Sequence, residues 1–132
     1  MTQKRIPSLD RNGLSASAKA RLPPEVQSRV AEAWGRGRAL ILNAHKPGYS
    51  EAFTISCEQY RELRAGILRE LSGSQEVLLK HVTATIQEAL GGSPLFPKGR
   101  MTNYVRYVKT DLEARGEVVR VEGSSPQRIR GP

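Results

Sequence analysis

Between Met101 and Leu112 the apolar residues Met101, Val105, Val108 and Leu112 fall on one stripe at 3.6 residues per turn, which predicts an amphipathic helix. Gly116 just past Arg115 is the usual left-handed stop, and Lys109 and Arg115 suit the negative end of the helix dipole. Opposite the stripe lie Asn103, Arg106, Tyr107 and Thr110, with Lys109 to one side. Beyond Gly116 the period drops to two. Val119, Val121 and Ile129 alternate with Arg120, Glu122, Arg128 and Arg130, as a half-buried two-stranded ribbon requires. The turn Gly123-Ser124-Ser125-Pro126 sits in a connection too long for a two-residue hairpin, so a loose tip is expected.

Upstream, Ser56 and Gln59 have the form of a capping box, and Tyr60, Leu63, Ile67, Leu68 and Leu71 behind them make the clearest helical face of the chain. Arg61, Glu62, Arg64, Arg69 and Glu70 fill its solvated positions, and Ser72-Gly73 ends it. A third helix from Ser74 turns Leu78, Val82, Ile86, Ala89 and Leu90 inward and stops at Gly91-Gly92; Glu76 to Leu79 fits either its first turn or an extended piece before it. Leu95 and Phe96 then plug the core. Nearer the start, Pro23-Pro24-Glu25 opens a helix whose apolar face is Val26, Val30, Ala33 and Trp34. Arg38 to Leu42 fits a resumed helical turn or a strand. Asn43 to Gly48 is a loop, and Ala52 to Ile55 a short strand. Trp34 is read as a packing anchor.

Charge sharpens this picture because it is uneven. The net +8 divides into +5 over residues 1–38, −1 over 39–97 and +4 over 98–132. A basic end on a neutral scaffold points to a polyanion-facing surface. Residues 1–22 are polar, basic and weakly periodic, so a flexible basic arm is expected there. With 132 residues and 5% aromatic content the chain has room for one modest core.

The remaining chemistry is sparse. Cys57 is alone and forms no intramolecular disulfide; His45 and His81 are scattered from it, and no CxxC or Gly-rich phosphate loop occurs. No catalytic residue, metal ligand or cofactor is expected. No stretch of 18 apolar residues is present and the N-terminus lacks a signal-peptide core, so a cytoplasmic protein without membrane contact is expected.

The segment Tyr104-Val105-Arg106-Tyr107-Val108-Lys109-Thr110-Asp111-Leu112-Glu113-Ala114-Arg115-Gly116-Glu117-Val118-Val119-Arg120 is similar to the helix-to-wing junction of winged-helix domains. With the Asn43–Gly48 loop and the Phe96-Pro97-Lys98-Gly99 entry, the chain also resembles a small bacterial family of domains of unknown function. The resemblance covers residues 53–131. Together with the arm and helix read above it gives a mainly α fold with a small β-ribbon (α+β): a flexible arm over 1–22, an N-terminal helix over 23–42, and a winged-helix domain over 43–132, which the resemblance implies binds DNA in transcription regulation. Thr102 to Arg115 would then be the recognition helix. Asn103, Arg106 and Thr110 would reach base edges or phosphates, with Thr102 and Tyr107 beside them on the interface. Lys98, Arg100, Lys109, Arg128 and Arg130 would contact phosphates. Asp111 and Glu113 oppose this by lowering the helix's positive field. The alternative is a protein-interaction or homodimerisation module using the Val26/Val30/Trp34 face, with no DNA binding.

Overall fold

The computed structural model describes residues 6–49, 53–73 and 75–132. It is a mainly helical α+β domain in the order α1 (Ala16–Arg21), α2 (Pro24–Gly35), β1 (Arg38–Ile41), a 3-10 turn (Pro47–Tyr49), β2 (Phe53–Ser56), α3 (Cys57–Glu70), β3 (Val77–Leu78), α4 (Leu79–Leu90), α5 (Met101–Ala114), β4 (Val119–Arg120) and β5 (Arg128–Arg130). Part of the expected strand at Ala52 and the expected helix start at Ser74 lie outside the described residues. Two antiparallel sheets form: β1 with β2, and β5 between β3 and β4. The extended reading of residues 76–79 therefore holds at Val77–Leu78, and the expected two-stranded ribbon gains a third strand.

Local chemistry accounts for the helix ends. The Ser56 side chain accepts from the Gln59 amide while the Gln59 side chain accepts from the Ser56 amide, a complete capping box for α3. At the end of α5, Gly116 has φ +79°, and the amides of Gly116 and Glu117 donate to the carbonyls of Glu113 and Leu112. That is a Schellman closure, and it turns the chain from α5 into the strands.

Of Arg38 to Leu42, the stretch Arg38–Ile41 resolves as a strand. Its apolar residues are continuous rather than alternating because both faces are covered. Ala39 and Ile41 join the main core with Tyr60, Leu63, Ile67, Val82, Ile86, Val105, Val108, Leu112 and Ile129. Leu40 and Leu42 join Leu14, Ala18, Leu22, Val26, Val30, Ala33 and Ala114 in a second cluster. The one core expected from length is thus two clusters back to back, with β1 between them.

That second cluster corrects three expectations. Residues 6–22 are not a flexible arm: Leu14, Ala18 and Leu22 are buried, Ser15 caps α1 by accepting from the Ala18 amide, and Asp10 folds the preceding turn by accepting from the amides of Asn12 and Leu14. Residues 1–5 lie outside the described residues. The Val26/Val30/Trp34 face is not a free dimerisation surface, since Val26 and Val30 are buried by the chain's own α1 and β1. A domain starting at residue 43 would divide the β1–β2 pair, so the 43 boundary does not stand either.

Trp34 is an anchor, as expected. Its ring lies edge-on to Tyr60 at 6.1 Å, with the Arg61 guanidinium 4.9 Å above it. A Cβ on Gly13 would come within 2.4 Å of that ring, so glycine is required for the segment to lie over it.

Candidate functional site

The α5 stripe Met101, Val105, Val108 and Leu112 is buried in the main core, which turns Thr102, Asn103, Arg106 and Tyr107 to solvent, with Thr110 half-buried. What holds the helix in that rotation is polar. The Asp111 carboxylate, fully buried, accepts from the Leu42 amide at 2.9 Å and the Tyr60 hydroxyl at 2.7 Å, and pairs with Arg115 at 3.0 Å. Arg115 in turn donates to the carbonyls of Gly13 at 2.9 Å and Leu40 at 3.1 Å. One ion pair thereby ties α5 to α3, β1 and the N-terminal segment. Burial raises the Asp111 carboxyl above its ordinary range, against the pull of Arg115. Burial also pushes the Tyr60 hydroxyl well above its usual value. Burial opposes the charge on Arg115 too, but the Asp111 carboxylate beside it more than offsets this and raises its pKa.

Lys109 is the clearest correction among the expected contacts. It is 4% exposed and pairs with Glu113 at 2.9 Å, so its charge is spent inside the protein. The same pairings overturn the expectation that Asp111 and Glu113 weaken the field of the helix. Each acid is neutralised by a buried cation one turn away, and among the described residues no acid pairs with Arg106 on the exposed face of α5.

The structure divides the remaining expected residues between two grooves flanking α5. On one side Thr102 and Arg106 face Leu79, Lys80 and Thr83 of α4 and Pro126 and Gln127 before β5, around a groove of about 370 Å³. On the other side Arg100, Asn103, Tyr104 and Tyr107 face Phe53, Thr54 and Ile55 of β2 and Pro97, around a groove of about 400 Å³. Thr110 lies further along under the hairpin, beside Phe53 and Tyr107. Lys98 and Arg100 are exposed at the start of α5, Arg130 is exposed on β5, and Arg128 is half-buried. Among the described residues, the side chains of Asn103, Arg100 and Arg106 make no hydrogen bond or ion pair.

The walls opposite α5 were missed from sequence. Nothing local marks Lys80 and Thr83 as facing α5, and nothing local says that the β1–β2 hairpin lies alongside a helix some fifty positions later. The other reactive groups do not converge. Cys57 is half-buried with burial raising its thiol pKa, His81 is exposed, and His45 stands 3.8 Å from Glu113. Among the described residues no three His, Cys, Asp or Glu side chains are grouped to hold a metal, and no helix is long and apolar enough to cross a membrane.

The molecule is thus a small α+β domain whose last helix carries a basic and amide face, unpaired among the described residues, between a hairpin and a three-stranded sheet. The chain belongs to the family of unknown function DUF6958, whose model matches residues 38–129. The match runs from the start of β1 to the middle of β5, so it takes in both grooves and leaves α1 and α2 outside. No curated protein and no solved structure matches the chain.

Proposed function

We propose that this protein is a winged-helix nucleic-acid-binding module of a transcription-associated protein, with α5 as the helix that enters the major groove and the β4–β5 connection as the wing. The order α3, β3, α4, α5, β4, β5, with β5 central in the sheet, supports the assignment. The observation that carries it is the face of α5. Thr102, Asn103 and Arg106 stand exposed in its first two turns, committed to no intramolecular partner among the described residues, while the acids of the same helix are paired inside. Amide and guanidinium groups so placed match adenine and guanine edges. Lys98, Arg100, Arg128 and Arg130 flank them as phosphate contacts.

A protein-interaction module would instead offer an apolar face. Among the described residues Tyr107 is the one exposed large hydrophobic side chain, which gives that alternative little to bury.

The test is fluorescence anisotropy with random-sequence duplex DNA across a salt series. Four phosphate contacts predict a log–log slope of about −3 to −4. Asn103→Ala with Arg106→Ala weakens binding by about 1–3 kcal/mol per lost base contact. Equal binding by parent and variant at every salt concentration would remove α5 from the interface.

A further inference from the structure

The two grooves beside α5 differ in chemistry. The α4 side is lined by Thr102, Arg106, Lys80, Thr83 and Gln127, groups suited to a phosphate backbone or to base edges. The β2 side is aromatic: Phe53, Tyr104 and Tyr107 line it together with Asn103 and Arg100. A duplex has little use for such a wall, because bases within the stack present edges and not faces. We infer that the groove between β2 and α5 receives an unpaired nucleobase adjoining the duplex held by α5. This rests on the nucleic-acid reading above and names the feature of the target that the site selects.

Tyr107 supplies the stacking surface. It is 43% exposed, and Phe53 meets it edge-to-face at 4.6 Å, which fixes the tilt of the ring without stacking on it. Tyr104 is braced from behind by Phe96, edge-on at 5.6 Å, and Phe96 is buried, so that wall is rigid. Asn103 lies one turn before Tyr107 on the same flank, and its amide, which makes no hydrogen bond among the described residues, can both donate to and accept from the Watson–Crick edge of a base lying on the ring. A cation stands on the helix wall for an adjoining phosphate: Arg100, at the start of α5. The volume, about 400 Å³, lies within the roughly 300–1,000 Å³ of sites for small organic groups.

The experiment compares a fully paired short duplex with the same duplex carrying one bulged 2-aminopurine, by anisotropy and by the fluorescence of that base. The expected result is roughly tenfold tighter binding of the bulged duplex, with a change in 2-aminopurine emission on binding. Tyr107→Ala brings the preference close to one and abolishes the emission change, whereas Tyr107→Phe keeps both. Should Tyr107→Ala fail to fold, Tyr107→Leu fills the space without an aromatic face and gives the same readout. Equal affinity of the parent for the two duplexes, or a preference that survives loss of the ring, overturns the inference and leaves duplex binding in place. Binding to neither duplex overturns both.

Discussion

Asp111→Ala removes the single acceptor shared by the Leu42 amide, the Tyr60 hydroxyl and the Arg115 guanidinium, all within 3.0 Å of its carboxylate. Arg115 is 1% exposed and would be left as an uncompensated buried cation, a loss of about 3–5 kcal/mol. The two neutral donors contribute about 1–3 kcal/mol each when left unpaired, less where water enters the space of the lost side chain. Against a total stability of roughly 5–15 kcal/mol, the variant should be near its unfolding midpoint or beyond it in dilute buffer. Arg115→Met behaves differently. It keeps much of the volume, and Asp111 retains two donors and can take up a proton, so the loss should be smaller and should depend on pH. Burial already holds the Asp111 carboxyl above its ordinary value. A carboxyl whose pKa is raised in the folded state binds more protons folded than unfolded, so the variant is favoured at acid pH and loses stability as pH rises through that value. Urea titrations of the two single variants and the double variant, at acid and neutral pH, give the coupling directly. The double variant should lose less than the two single losses together by about 2–3 kcal/mol. A loss under about 1 kcal/mol for Asp111→Ala, or additive losses, would refute the view that this pair holds α5 in its rotation.

Three further outcomes follow from the same geometry. Gly116→Ala places a Cβ at φ +79° and 3.0 Å from the Arg21 side chain, and thermal unfolding should show a loss of about 1–2 kcal/mol, with no loss if the Schellman turn is absent. Asp10 has its pKa lowered, chiefly by the hydrogen bond from Lys19. Its contribution is therefore present above the ordinary value of 3.8 and disappears as pH falls through the folded value; the protection factors of the Asn12 and Leu14 amides should fall over that interval and hold steady above it. Lys109→Met should leave DNA affinity and its salt slope unchanged, whereas Lys98→Met should lower the slope by about one; a changed slope for Lys109→Met would return that residue to the surface.

The helices and their ends were written in residues close together in the chain. The capping box at Ser56 and Gln59, the stripe from Met101 to Leu112 and the glycine stop at Gly116 all depend on groups within a turn or two of each other, and each formed as its spacing predicts. Residues 6–22 and Lys109 went the other way. Leu14, Ala18 and Leu22 are sparse among polar neighbours and pack only because α2 and β1 come round to meet them. Lys109 looked like any cation at the margin of an amphipathic helix, and its pairing with Glu113 at i, i+4 is common on exposed helices too.

Periodicity and turn chemistry, being local, determined by themselves the α+β class, the rotation of α5 that turns Asn103 and Arg106 outward, and the strands after Gly116. Only the tertiary structure decided which charges remain available. It took Asp111, Glu113, Lys109 and Arg115 out of the surface field by burying them in pairs, and it set the hairpin beside α5 to give Tyr107 a wall to face. The physical reason is that burial and cross-chain pairing are sums over residues far apart in sequence. A charge has the same letter whether it faces water or Asp111.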